Sequence, residues 1–178
     1  GRWYQFGKTC GDLGRRQAHL PGAHYVHLER DLSGAKHDAA GRFRGRHPLP
    51  DRDALAQTIA ALGVTPRSAV VCYDAQGGPY AARAWWLLHW LGHADVAVLD
   101  GGVAAWRAAG GALSSEPPTL RAAPPYPTRA PGLPTIDADA LLAGLGRLRL
   151  IDARAAERFR GEVEPLDKAA GHIPGARN

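Results

Sequence analysis

Two side chains that could do chemistry, Cys72 and Asp74, stand two residues apart near the middle of the 178-residue chain. The apolar run at 69–73 is too short and too rich in β-branched residues for a helix, so it predicts a buried strand. Asp74 opens a tight glycine loop, and Pro79 suits the first position of the helix after it. Such a loop presents backbone N–H groups at a helix N-terminus, where an anion or a thiolate is stabilised.

The elements around this loop must hold it in place. Gly92 is a predicted left-handed end for the helix that Pro79 begins. A second apolar strand is predicted at 96–99, followed by Asp-Gly-Gly and a short helix that carries Trp106 and ends by Gly110. The stretch 68–110 therefore predicts a strand, loop, helix and strand in succession.

Upstream, the pattern predicts further alternation of strands and helices. A Pro-Gly turn leads into a short strand at 25–28, and a long polar loop occupies 31–50. A helix is predicted from Asp51, a candidate N-cap, to Gly63, with apolar residues at helical spacing. Residues 1–18 show no clean period. The alternation favours an α/β fold with a mainly parallel sheet flanked by helices.

The run YDAQGGPYAARAWWLLHWLGH followed by VLDGGVAAW resembles the first domain of two-domain rhodanese-type sulfurtransferases, the thiosulfate and 3-mercaptopyruvate enzymes. The resemblance implies a rhodanese-like fold, a cysteine persulfide as the sulfur carrier and no cofactor. In that family's second domain, the carrier cysteine follows the equivalent strand, but here Asp74 holds the position. We therefore expect Asp74 to cap the loop N–H groups, and the carrier to lie beyond Asn178. The family also shows an apolar strand where residues 1–18 stand, so that strand is predicted to be missing or rewired.

The chain is predicted to hold one domain and the start of a second. Seven of its fourteen prolines lie at 114–134, which predicts a linker between a first domain at 1–113 and a second unit at 135–178. In that unit a helix is predicted at 136–145, a strand at 148–151 and a short helix in DARAAERFRGE. The pentapeptide HLPGA at His19 recurs as HIPGA at His172, 153 residues later (172 minus 19). A copy at a fixed offset indicates a duplicated domain.

Three residues are candidates for substrate binding through the resemblance. Arg158 matches the arginine of the family's substrate site, Arg154 is a neighbouring structural partner, and His47 lies in a first-domain motif whose histidine faces the cleft between domains. A guanidinium suits the oxygens of a small anionic sulfur donor. The alternative is that these are ordinary solvated side chains. Leu166 stands where mercaptopyruvate enzymes usually carry a second arginine, which argues against mercaptopyruvate as the donor.

Other nucleophiles and metal sites are less well supported. Cys72 lies inside the apolar run, where cysteine usually behaves as a small buried hydrophobe. Cys10 lies in the sequence without a period. His89 and His93 are four residues apart, but Gly92 ends the helix between them and they have no obvious third ligand. His24 and His27 are predicted to lie on opposite sides of a strand turn. No metal site is predicted.

The amino-acid composition indicates which kinds of partner and cellular compartment are expected. The net charge of +5 arises from scattered arginines interleaved with acidic residues, which favours a solvated surface over a nucleic-acid stripe. No apolar run is long enough for a membrane span. Two cysteines without a CxxC pair favour a reducing compartment, so cytoplasmic location is expected, with the periplasm left open.

Two hypotheses of different classes remain. In the first, the chain belongs to an enzyme that moves a sulfane sulfur from thiosulfate or 3-mercaptopyruvate to a thiol or cyanide acceptor. In the second, it is a non-catalytic rhodanese-like module that binds a partner or a small anion. Under either hypothesis, this stretch of sequence alone is expected to be inactive in sulfur transfer.

Overall fold

The computed structural model describes residues 2–7, 18–119 and 121–178 of the chain. The chain divides into two compact units, Gly1–Pro134 and Thr135–Asn178. The first unit contains four strands and four helices among its described residues: β1 (Arg2–Gly7), β2 (His24–His27), α1 (Leu28–Asp31), α2 (Arg52–Ala61), β3 (Val70–Tyr73), α3 (Pro79–Leu91), β4 (Val96–Val98) and α4 (Gly102–Ala108). The second unit contains α5 (Ala138–Ala143) and α6 (Ala156–Phe159) in its described part.

The described strands form one parallel sheet in the order β2-β1-β3-β4. The expectation of a missing or rewired strand in residues 1–18 was wrong, because β1 lies between β2 and β3. The segment RWYQFG is rich in aromatic residues that favour strands, but Arg2 and Gln5 interrupt its apolar run and hide the signal. Cys10 lies outside the described residues.

Both faces of the sheet are covered, as the alternation of elements predicts. On one face, Val70 and Cys72 of β3 join a core cluster with side chains of α2 and α3. On the other face, Tyr73 packs with Leu20 and Ala23, and α4 covers the cluster through Val103 and Trp106. The Tyr73 hydroxyl accepts a hydrogen bond from the buried Leu20 N–H at 3.1 Å. The α/β fold class is confirmed.

The helix boundaries follow the local signals. Asp51 caps α2 by accepting from the backbone N–H groups of Asp53 and Ala54. Pro79 begins α3, and Gly92 ends it with a φ of 94°, a left-handed conformation that glycine adopts at low cost. The predicted starts and stops of these helices are confirmed.

The Pro-rich segment at 114–134 packs against the first unit. Tyr126 is buried, and its hydroxyl lies 2.7 Å from Nδ1 of the buried His93. His93 Nε2 donates to the Ser68 carbonyl at 2.9 Å, so the ring joins this segment to the loop before β3. Burial lowers the pKa of His93, which favours the neutral ring. The first compact unit therefore includes the segment up to Pro134.

The second unit departs from the sequence expectation at one element. The strand predicted at 148–151 is wrong, because the segment makes one isolated parallel bridge, Ile151 to Arg177, rather than a ladder. Ile151 is 69% exposed, and an apolar run needs neighbouring strands on its hydrogen-bonding edges to become a buried strand. The predicted helix at 136–145 is present but shorter, as α5, and α6 lies within DARAAERFRGE as expected.

None of the helices in the described ranges is long and apolar enough to span a lipid bilayer.

Candidate functional site

The loop after β3 directs four backbone N–H groups at one carboxylate. Oδ1 of Asp74 accepts from Gln76 N at 2.9 Å and from Gly78 N at 2.8 Å. Oδ2 accepts from Tyr80 N and Ala81 N, both at 3.0 Å. We call these four N–H groups the amide cradle. Tyr80 and Ala81 belong to the first turn of α3, so the carboxylate also lies at the positive end of that helix.

Asp74 leaves no room in this cradle for another anion. Asp74 is 2% exposed, and all four N–H groups already donate to its carboxylate. An aspartate cannot form a persulfide, so the carboxylate has a structural role here. The expectation that Asp74 caps the loop is confirmed.

The predicted Asp-Gly-Gly turn brings α4 against the back of the same loop. Val103 N donates to the Asp74 carbonyl at 3.3 Å. A Cβ on Gly102 would lie 2.5 Å from that carbonyl oxygen, and the φ of Gly102 is +54°. Both the close approach and the backbone conformation therefore require glycine at this position.

Cys72 is not a reactive thiol. It has no exposed surface, and burial raises the pKa of its thiol to about 12. Because the thiolate is the nucleophilic form, a thiol with this pKa is inert near neutral pH. The interpretation of Cys72 as a buried hydrophobe is supported.

His47 lies on the long loop of the first unit, which a half-buried arginine anchors. Arg83 of α3 donates to the carbonyl oxygens of Leu32, at 2.8 Å, and Pro48, at 3.1 Å. These bonds tie both ends of the loop to α3. Nδ1 of His47 lies 4.0 Å from Oε1 of Glu29, and the His47 side chain is 23% exposed. The Lys36 ammonium, 3.3 Å from Glu29, lowers the pKa of that carboxyl.

Arg154 and Arg158 come together in the second unit around Glu164. Arg158 Nη2 donates to Glu164 Oε1 at 2.7 Å, and Arg154 Nη1 lies 3.6 Å from Oε2. Arg154 also donates to Asp152 Oδ2 and to the Gly171 carbonyl, each at 2.6 Å. These contacts support the interpretation of Arg154 as a structural partner of Arg158.

Two of the histidines considered as metal ligands, His93 and His27, have other roles. His93 bonds Tyr126 and Ser68, and His27 caps α1 by accepting from two backbone N–H groups through Nδ1. Within the described part of the chain, no group of three or more His, Cys, Asp or Glu side chains could hold a metal ion.

Residues 4–109, more than half of the chain, match the family described as the rhodanese-like domain. The chain belongs to the rhodanese-like family. A Pseudomonas aeruginosa protein named "Probable 3-mercaptopyruvate sulfurtransferase" is 52% identical over 169 residues, which are 91% of this chain and 57% of that protein. The thiosulfate sulfurtransferase of Azotobacter vinelandii is 37% identical over 164 residues, 91% of this chain and 57% of that one.

The solved structure of 3-mercaptopyruvate sulfurtransferase from Leishmania major has a TM-score of 0.83 and 30% identity, covering 99% of this chain and 50% of that one. The chain thus spans little more than half the length of the curated relatives it matches. The rhodanese-like fold predicted from the sequence is confirmed.

Three residues that fix the candidate residues or segments within their own units were missed by sequence reasoning. Glu164 belongs to the stretch where the family motif departs from its pattern, and it bonds both candidate arginines. Arg83 lies in the middle of α3, where a cation on an otherwise apolar helix was the available signal. Tyr126 is the one aromatic residue of the Pro-rich segment, and aromatic residues in such segments often anchor them to a core.

The cradle gives a direct stability prediction. In Asp74→Ala the four N–H groups lose their acceptor inside the protein, so we expect the free energy of unfolding to fall by about 3 kcal/mol. Asp74→Asn keeps one acceptor oxygen, so its free energy of unfolding should lie between those of Asp74→Ala and the parent. Urea denaturation followed by tryptophan fluorescence measures both. Asp100→Ala, at an exposed position, is the control and should change stability by less than about 0.5 kcal/mol. Equal losses in the Asp74 and Asp100 variants would contradict the role of the cradle.

The arginine network predicts how the second unit responds to acid. Hydrogen bonds from Arg158 lower the pKa of Glu164 from its ordinary value of 4.5 to about 2. Hydrogen bonds from Arg154 lower the pKa of Asp152 from its ordinary value of 3.8 to about 2. A lowered folded-state pKa stabilises the fold above the ordinary value, and the contribution is lost as pH falls toward 2. We expect the ¹³C carboxyl resonance of Glu164 to titrate near pH 2, and Arg158→Gln to move that midpoint upward. A parent midpoint near the ordinary value would refute the network.

Proposed function

We propose that this chain is part of a sulfurtransferase that takes a sulfane sulfur from thiosulfate or 3-mercaptopyruvate and passes it to a thiol or to cyanide. The observation that carries the proposal is that sulfurtransferases are similar to the chain over nine-tenths of its length, across both compact units. The shared fold alone would not assign an activity, since one fold serves many functions. The activity proposed here is that of the longer protein.

The proposed reaction passes through a cysteine persulfide. A cysteine thiolate attacks the outer sulfur of thiosulfate, the S–S bond breaks, and sulfite leaves with its electron pair. Cyanide then attacks the terminal sulfur of the persulfide, which releases thiocyanate and restores the thiolate. No cofactor takes part in either step.

The carrier cysteine is proposed to lie outside residues 1–178. Asp74 fills the cradle of the first unit, and the buried Cys72 has a pKa of about 12. Neither residue can hold the sulfur. Relatives named as sulfurtransferases extend well beyond the part that this chain matches, which leaves a place for the carrier.

We propose Arg158, Arg154 and His47 as the substrate-binding contribution of this chain. Arg158 supplies a guanidinium fork suited to sulfonate or carboxylate oxygens, and Arg154 helps to fix its carboxylate partner Glu164. His47 is placed by the loop that Arg83 anchors. Because Leu166 stands in place of a second arginine, thiosulfate is the favoured donor.

Domain duplication is proposed from matching turns and bridges. In the first unit, the Ala23 N–H donates to the Leu20 carbonyl, and Gly22 between them has a φ of 75°. In the second unit, the Ala176 N–H donates to the Ile173 carbonyl, and Gly175 has a φ of 82°. Each turn leads into a parallel pairing, Tyr4 with His24 and Ile151 with Arg177. These matching turns and pairings support a second unit that repeats the opening of the first. We propose a first domain at 1–113, a linker at 114–134 and the start of a second domain at 135–178.

A second candidate is a rhodanese-like module that binds a partner or a small anion without turnover. For the first unit taken by itself, the filled cradle and the inert Cys72 favour a binding module without turnover. Cytoplasmic location is proposed for both candidates, since neither cysteine position suggests a disulfide, and the periplasm is the alternative.

Intact mass spectrometry after incubation with thiosulfate separates the two candidates. The protein extended to the length of its relatives should gain one sulfur, which cyanide removes as thiocyanate, and peptide mapping should place it on a cysteine beyond residue 178. Cys72→Ser and Cys10→Ser should leave the adduct unchanged. An adduct on Cys72 or Cys10 would overturn the proposed carrier, and no adduct at all would favour the binding module.

A further inference from the structure

Arg158 holds two carboxylates that differ in how firmly they are fixed. Glu164 accepts from Arg158 Nε at 3.2 Å and from Nη2 at 2.7 Å, and its side chain is 6% exposed. Asp167 accepts from the same Nη2 at 3.0 Å, but its side chain is 44% exposed. One partner is therefore buried against the guanidinium and the other sits at the solvent boundary.

Glu164 is built into the loop that carries it. Its Oε1 also accepts from Leu166 N and Asp167 N, each at 3.0 Å. The ends of the loop are close together, because a Cβ on Gly161 would lie 3.2 Å from Gly171 N, and Arg154 holds the Gly171 carbonyl. Moving Glu164 would break the loop's own turn as well as its ion pair, so this carboxylate stays in place.

Asp167 can leave at much lower cost. Its carboxylate already borders water, and although it also attracts Arg154 electrostatically, exposed ion pairs contribute little to stability. Leu166 beside it is 58% exposed and adds no charge that would attract an anion. The side of Arg158 that faces Asp167 is thus the accessible side of the guanidinium.

We infer that Asp167 is an internal counterion that competes with the anionic sulfur donor for Arg158 and so sets how tightly that donor binds. The inference rests on the proposed function, in which Arg158 meets the donor. A donor oxyanion takes the position of the Asp167 carboxylate on Nη2, while Glu164 continues to orient the guanidinium. To bind, the donor must displace the negatively charged Asp167 carboxylate, which also repels it. The donor therefore binds less tightly than it would if Asp167 were uncharged.

Titration with sodium thiosulfate tests this role. The 178-residue protein at low ionic strength is titrated while the Arg158 Nε–H resonance is followed by NMR. Asp167→Asn is expected to tighten thiosulfate binding at least fivefold, because two unit charges about 4 Å apart in water repel by about 1 kcal/mol and thiosulfate carries two negative charges. The gain should shrink in added salt. Asp167→Ala, which cannot donate or accept at this position, should show the same gain.

Glu162→Gln is the matched control. Glu162 lies in the same stretch and loses the same charge, but it pairs with Arg160 at 2.6 Å rather than with Arg158. Its thiosulfate affinity should stay within about twofold of the parent, as expected for a screened surface charge. Equal affinities for parent and both Asp167 variants, an equal gain in Glu162→Gln, or no saturable binding by any variant would each overturn the inference. The sulfur adduct on the longer protein is measured separately, so a failed titration with a positive adduct rejects Asp167 alone.

Discussion

The contact between the Asp74 carboxylate and the four N–H groups of the cradle organises the first unit. Without it, four backbone N–H groups between Gln76 and Ala81 would lose their acceptor in a partly buried turn, where unpaired N–H groups are costly. With the carboxylate in place, β3 ends in a rigid turn and α3 begins with its first N–H groups satisfied. The position of α4 depends on the same loop, because Val103 and Gly102 meet the Asp74 carbonyl.

This contact also decides what the first unit can do. The geometry that a rhodanese-like loop uses to stabilise an anion is intact, but the anion is a permanent part of the protein. The cradle of the first unit is therefore structural. The proposed chemistry belongs to the second unit and to the carrier cysteine proposed beyond residue 178, and His47 is the contribution proposed for the first unit. In the second unit, Arg158 and Arg154 are arranged around Glu164, so guanidinium positions are fixed by buried or half-buried carboxylates rather than left to solvent.

Local signals predicted much of this architecture. Pro79, Gly92 and Asp51 marked helix ends because proline at the first position, left-handed glycine and an aspartate cap act through neighbouring residues alone. The Asp74 cap was predicted by the same local logic. β1 could not be recognised, since Arg2 and Gln5 interrupt its apolar residues and its place between β2 and β3 comes from pairing with distant strands.

Long-range contacts account for the other differences. The Tyr126 to His93 bond joins residues 33 positions apart, and the Arg83 bonds to the Leu32 and Pro48 carbonyls span 51 and 35 positions. No periodicity encodes such pairs. The apolar run at 148–151 has strand composition, yet its observed pairing is limited to the bridge with Arg177. Glu164 was missed because its role is defined by its partners Arg154 and Arg158 rather than by its own position in a pattern.

The cradle acts as a preformed anion site, and the pKa of a thiol placed there tests this most directly. The thiol is introduced as Asp74→Cys combined with Cys72→Ser, and thiolate ultraviolet absorbance is measured against pH. If the four N–H groups and the α3 N-terminus stabilise an anion, the thiol will titrate below about 8.5, the value of a free cysteine. The thiol of Cys72, two residues earlier in the parent chain, serves as the comparison, because burial raises its pKa to about 12. A thiol at position 74 that titrates above the free value would show that burial outweighs the cradle and would contradict the account.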